Sequence, residues 1–144
     1  MKLSTRGRYG TRAMLQIALH DQEGPISIKD IAEIEGLPWR YLSHVLRPLI
    51  KGGILRSAQG TGGGISLTRR PEDIRLSEVV KLLEGSIAPA ECVHDEKLCE
   101  KTAYCVTRDI WCEMEEAMNR ILESVSIRDL VDRQKVKQLA LISR

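Results

Sequence analysis

Residues 27–67 read SIKDIAEIEGLPWRYLSHVLRPLIKGGILRSAQGTGGGISL, and this stretch decides the fold class. Ser27 followed by Asp30 resembles a capping box with Asp in place of the usual Glu or Gln. Ile28, Ile31, Ala32 and Ile34 then form a short apolar stripe at helical spacing, and Gly36 is suited to end that helix. Pro38 fits the first turn of the next helix, where its missing N–H costs nothing. Leu42, Val45, Leu46 and Leu49 predict the buried face of that helix, and Gly52-Gly53 stops it. Two short helices joined by a tight turn, the second exposing Trp39, Arg40, Tyr41, Ser43, His44 and Arg47, fit a helix-turn-helix whose second helix enters the major groove. A strand-like run at 54–58, a glycine-rich tip at 60–64 and the alternation of Ile65 and Leu67 predict a β-hairpin directly after it. A hairpin in that position is the wing of a winged helix, whose tip reaches DNA beside the recognition helix.

Outward from this core, residues 4–20 predict a helix capped by Ser4 or Thr5, with Tyr9, Ala13, Met14, Ile17 and Ala18 on its inner face. The turn at Gly24-Pro25 follows. Downstream, Ser77 is the expected cap of a helix carrying Val79, Val80, Leu82 and Leu83, which ends at Gly85 and closes the first unit. A polar loop bearing cysteines spans 92–105. A helix over about 107–124 then repeats Ile110, Met114, Ala117 or Met118, Ile121 and Val125 as a narrow apolar seam. A seam beyond a complete domain has to be buried, and a second copy of the chain is the economical partner. The expected organisation is a mainly α protein with a small β-hairpin wing: a winged helix-turn-helix domain over 1–86, a cysteine-bearing cluster-binding loop over 87–106, and a dimerisation helix with a C-terminal segment over 107–144.

Charge is distributed unevenly. Residues 1–75 carry 12 Lys+Arg against 7 Asp+Glu, and residues 76–144 carry 10 against 13, although the whole chain is only +2. Between Gly36 and Pro71, Arg40, Arg47, Lys51, Arg56, Arg69 and Arg70 stand with no acidic residue, and the first twelve residues add Lys2, Arg6, Arg8 and Arg12. A solvated face normally mixes both signs, so the one-sided stretch points to a surface that meets double-stranded DNA. Trp39, Arg40, Tyr41, Ser43 and His44 are the candidates for base edges. Arg6, Arg47, Lys51 and Arg56 are the candidates for phosphates, with Gln59 and Gly60 at the wing tip. The glycine run is no nucleotide cradle: no Gly-Lys-Ser/Thr follows, and Ile65 stands where G-x-G-x-x-G needs its last glycine. No paired catalytic residues or small-molecule substrate motif is evident, so no enzyme is expected. The absence of a long apolar span and of a leader-like start predicts a cytoplasmic protein without membrane contact.

Cysteines occupy positions 92, 99, 105 and 112 with spacing C-x6-C-x5-C-x6-C. In a cytosolic chain such clustering favours metal or redox chemistry over disulfides. The lack of a C-x2-C knuckle disfavours zinc, whereas an iron–sulfur cluster takes thiolates spread around a loop of this length. Glu91, Asp95, Glu96, Lys97, Glu100 and Lys101 make the loop polar, which argues against cysteines that merely pack. Cys92, Cys99 and Cys105 are the expected ligands. A fourth is open among Cys112, which is about 10 Å further along a helix starting near Cys105, Asp109 near the start of that helix, His94, and a residue of the other subunit.

The start KLSTRGRYGTRAM, the wing QGTGGGISL and the three-cysteine loop resemble the IscR and NsrR family of iron–sulfur transcription regulators over nearly the whole chain. The resemblance implies a homodimeric winged-helix repressor or activator, with Cys92, Cys99 and Cys105 as cluster ligands and a dimerisation helix around 107–125. The stretch CVTRDIWCEM is most similar to IscR, which favours a 2Fe-2S over a 4Fe-4S cluster and control of cluster-biogenesis genes. Arg108, however, stands where IscR has the histidine that completes its coordination, and Gln59 replaces an expected wing arginine. NsrR-like members sense nitric oxide and draw a ligand from the partner's N-terminal region, where Arg8 here cannot ligate. Regulators of the CymR type share the fold without the three-cysteine loop. The alternatives are therefore a nitric-oxide-sensing repressor, or a zinc or thiol-switch regulator without iron.

Overall fold

A computed structural model describes residues 2–144. Its elements run α1 (Thr5–Leu19), α2 (Ile28–Glu35), α3 (Trp39–Lys51), β1 (Leu55–Ala58), β2 (Gly64–Leu67), α4 (Leu76–Glu84), α5 (Val106–Ser124) and α6 (Ile127–Ile142). Short 3-10 turns punctuate the loops, three of them between α4 and α5.

Side-chain oxygens capture orphan N–H groups at three helix starts. Ser4 accepts from Gly7, Ser27 from Asp30, and Ser126 from Asp129. Glu84, at the end of α4, accepts from both the backbone and hydroxyl of Ser4, so the start of α1 and the end of α4 are tied. Gly36 closes α2 at φ 66° in the left-handed region, which permits the sharp turn into α3. The α2–turn–α3 unit and the antiparallel β1–β2 hairpin after it are a winged helix. Arg56 pairs with Ser66 and Leu55 with Leu67 across the wing. Ile26, just before α2, exchanges backbone hydrogen bonds with Ile65, anchoring the wing to the helices.

The core interleaves Ala13, Met14 and Ile17 of α1 with Ile31 of α2, Leu42, Leu46 and Leu49 of α3, and Val79 and Leu83 of α4, all buried. Burial of one such aliphatic side chain stabilises by about 1.5–3 kcal/mol, so this layer fixes α3 against α1, α2 and α4. α6 returns to the same core: Ile127 and Val131 are buried there, and Leu76 and Ile127 exchange backbone bonds with Val125 and Ile74. Residues 125–131 thus pack with α1 and the wing-to-α4 connection rather than extending α5.

Four local expectations are corrected. α4 begins one residue before Ser77, and Glu78 accepts the Arg75 N–H in place of a serine cap. Pro38 precedes α3 as its N-cap residue, while Pro48 lies inside α3, lacking an N–H for the His44 carbonyl. Ile34 is exposed, so the α2 stripe is narrower than its spacing suggests. Val125 is buried in the core and is no part of an α5 seam. Among the described residues, no helix is long and apolar enough to cross a membrane.

Candidate functional site

The outward face of α3 assembles most of the anticipated DNA contacts. Arg40, His44 and Arg47 are exposed, Ser43 and Tyr41 half-buried. Trp39 is 46% exposed at the helix start. The Arg40 guanidinium and the Lys29 ammonium both lie over its ring, 5.4 and 5.8 Å from the centroid. Such stacking holds two cations at the start of α3. Lys29 is invisible to a reading confined to α3, because it reaches the site from α2. Tyr41 turns inward and meets Tyr9 edge-on, with ring centroids 6.3 Å apart, so its packing accounts for much of its place.

Arg6, Tyr41, His44, Arg47 and Lys51 line one shallow, basic hollow between α1 and α3. One N–H of Arg6 is committed to the Leu83 carbonyl at 2.8 Å, which fixes the side chain beside the hollow. Arg12 is drawn away from this surface into an ion pair with Glu35 at 2.6 Å. On the wing, Arg56 donates to Ser66 at 3.1 Å, and Gln59 and Gly60 sit exposed at the tip.

The cysteine loop follows α4 and packs against α5. All four thiols are free; Cys99 is exposed and the others half-buried. Cys105 is the N-cap residue of α5. Its thiol pKa is lowered, first by the Thr107 hydroxyl 3.2 Å away and then by the Arg108 N–H. Hydrogen bonds donated at a helix start favour the thiolate over the thiol. Arg108 reaches back across the loop: its Nε donates to the Cys92 carbonyl at 2.8 Å and its Nη2 to Glu96 at 3.1 Å.

The three candidate fourth ligands differ in surroundings. His94 Nε2 lies 2.8 Å from Glu115 on α5, turned towards the α4–α5 cleft. Asp109 lines one hollow together with Cys99 and Arg108. Cys112 is half-buried on α5, one helical stretch beyond. Among the described residues, no three His, Cys, Asp or Glu side chains converge tightly enough to hold a single metal ion. Soft thiols on a polar loop nevertheless have the donor chemistry of iron–sulfur ligation, in which the thiolates surround a group larger than one ion.

The sequence pattern of Rrf2, described as iron-dependent transcriptional regulator, matches residues 3–133. The chain belongs to the Rrf2 family. It is 45% identical to Protein rrf2 of Nitratidesulfovibrio vulgaris over 131 residues, covering 91% of this chain and 87% of that one. The solved structure of IscR from T. potens superposes with a TM-score of 0.79 at 33% identity, covering 96% of this chain and 91% of the other. That of CymR from B. subtilis gives 0.78 at 33%, covering 92% and 98%. This Rrf2 chain is therefore a DNA-binding transcription regulator with an IscR-like winged-helix fold, and its relatives are regulators rather than enzymes. Overall similarity does not separate IscR from CymR, so within Rrf2 the loop residues have to carry that distinction.

Proposed function

We propose that this Rrf2 regulator is a cytoplasmic homodimer that binds operator DNA under the control of an iron–sulfur cluster held by Cys92, Cys99 and Cys105, with genes of cluster assembly among its targets. The observation that carries this reading is the polar loop of free thiols lashed to the first turn of α5, in a chain similar to IscR. When bound, a cluster of either type supplies redox- and iron-sensitive thiolate ligation that ties distant parts of the loop together. A 2Fe-2S cluster is the favoured type. Asp109 is the favoured fourth ligand, because it shares a hollow with Cys99, whereas His94 is engaged by Glu115.

The chain's own contacts supply a route from loop to DNA. The loop is held to α5 by Arg108 and by the His94–Glu115 pair. α5 packs on α4, and α4 packs on both α1 and α3. The outward face of α5 leaves Ile110 49% and Ile121 64% exposed, an apolar row suited to a second copy. In a two-fold dimer the recognition helices must meet half-sites about 34 Å apart. A rearranged loop that re-angles α5 changes that separation and with it the choice of operator. Trp39, Arg40, Ser43 and His44 read bases, while Arg6, Arg47, Lys51, Arg56, Gln59 and Gly60 hold the backbone; Tyr41 braces the helix.

A second reading, a thiol switch without iron, is favoured by the lowered Cys105 pKa and by the likeness to CymR. Selection of bound fragments from sheared genomic DNA separates the two. Anaerobic wild-type protein and the Cys92→Ala/Cys99→Ala/Cys105→Ala variant should enrich different fragment sets. Identical sets from both proteins would overturn cluster control.

A further inference from the structure

Arg108 stands among the candidate ligands yet can supply none. A guanidinium cannot ligate a metal, being fully protonated and without an acceptor. Yet it is one of the better covered side chains of this polar region, 16% exposed, while the Glu96 it pairs with is 74% exposed. Its hydrogen bonds are distributed in an informative way. The backbone N–H of Arg108 donates to the carbonyl of Cys105 at 3.1 Å. The side-chain Nε donates to the carbonyl of Cys92 at 2.8 Å, thirteen residues upstream of Cys105. Nη2 adds the Glu96 carboxylate at 3.1 Å and the Val93 carbonyl at 3.4 Å. A single residue thus holds the main chain of both outer cysteines of the loop. No regular secondary structure joins these segments; only short 3-10 turns lie between them. A planar fork that satisfies two carbonyls and a carboxylate together is a geometric constraint that a single-point cation cannot reproduce.

We propose that Arg108 is the positioning residue of the cysteine loop: it clamps the Cys92–Glu96 segment onto the first turn of α5, so that the loop is assembled by a side chain of the protein before any cluster binds. The proposal rests on the cluster-binding reading only for its consequence, that cluster loss frees the ligands without unfolding the loop. The clamp itself is a property of the polypeptide. It further implies that the fourth ligand comes from a residue other than 108 and that the Cys92–Glu96 segment stays docked on α5 in metal-free protein, so that rearrangement on cluster loss falls on the rest of the loop.

The test uses the full chain prepared metal-free, as wild type and as Arg108→Ala, Arg108→Lys and Glu96→Gln. Amide hydrogen exchange over 92–98 and the rate of Cys92 alkylation are the readouts, with the thermal midpoint as a check on the winged-helix core. Loss of charge-assisted hydrogen bonds corresponds to a rise of roughly tenfold or more in exchange and alkylation for Arg108→Ala. Arg108→Lys should fall in between, because the charge stays but the fork is lost, and Glu96→Gln should change least, since it weakens one arm. All four proteins should melt together. Exchange and alkylation within twofold of wild type in Arg108→Ala would overturn the clamp, as would full rescue by Arg108→Lys, which would leave charge alone as the cause. Anaerobic reconstitution with iron and sulfide, read by absorption, then stands apart: wild type that takes up neither would end the cluster reading while leaving the exchange result intact.

Discussion

Replacing Gly64 by alanine tests how the wing is anchored, and its effect can be worked from local geometry. Gly64 opens β2 at φ 147°, in a region reserved for glycine, where another residue costs about 1–3 kcal/mol. A Cβ built there lies 2.6 Å from the carbonyl oxygen of Ile26, which is backbone rather than a movable side-chain end. That oxygen accepts the Ile65 N–H at 2.7 Å, the bond that ties the wing to the helices, and displacing it costs about another 1 kcal/mol. The sum is about 2–4 kcal/mol. Gly60, at the tip, is the control: its φ is 91°, but a Cβ meets nothing within 4 Å, so Gly60→Ala carries backbone strain alone and should cost about 1 kcal/mol less than Gly64→Ala. Urea unfolding followed by circular dichroism should therefore show a lower midpoint for Gly64→Ala than for Gly60→Ala, with unchanged slope. Gly64→Ala should also lose operator affinity, because Arg56, Gln59 and Gly60 move with the hairpin. Equal costs within about 0.5 kcal/mol, the usual scatter of surface substitutions, would refute the reasoning.

Three further outcomes follow from the same geometry. Ile121→Glu, on the exposed row of α5, should convert a dimer to a monomer in sedimentation velocity while leaving the thermal midpoint of the fold within the small range of surface changes; a dimer that persists would remove α5 from the interface. In fluorescence anisotropy titrations over a range of salt, Arg47→Ala should weaken all sequences alike and lower the salt slope by about 1, whereas Arg40→Ala should chiefly relax sequence preference. Glu78, hydrogen-bonded first by Arg69 and also by the Arg75 N–H, has a carboxyl pKa below its ordinary 4.5. A depressed carboxylate contributes its stability fully above the ordinary value and loses it as pH falls through the folded one, so NMR titration should find Glu78 below 4.5 in wild type and closer to it in Arg69→Ala.

The winged helix was legible because its information is local. Ser4, Ser27 and Gly36 cap helices by short-range rules, and Leu42, Val45, Leu46 and Leu49 keep strict helical spacing, so α1 to α3 and the hairpin follow from the order of residues. α6 was not legible as an element, since only Ile127 and Val131 of its sixteen residues are buried and the rest offer no clear stripe. The α4 start was misplaced because Arg75 is no capping type; the carboxylate three residues on supplies the bond instead. Of the DNA face, the residues on α3 could be read from its helical period. Arg6 was legible as a candidate from the acid-free start of the chain, but its place beside the α3 hollow, like that of Lys29 over Trp39, depends on helices crossing in space. In the cysteine loop, residue chemistry identified the thiols, but the reach of Arg108 to Cys92 spans sixteen positions without any repeat to signal it. The pairing of His94 with Glu115, across twenty-one positions, is hidden for the same reason.

The most direct test of the central claim couples colour to DNA binding. Protein purified without oxygen should be brown and contain iron and sulfide, in a ratio that separates 2Fe-2S from 4Fe-4S. The Cys92→Ala/Cys99→Ala/Cys105→Ala variant should be colourless and differ from wild type in affinity for at least one operator. Wild-type protein that stays colourless and iron-free after anaerobic reconstitution, or that binds every operator as tightly as the variant does, would contradict it.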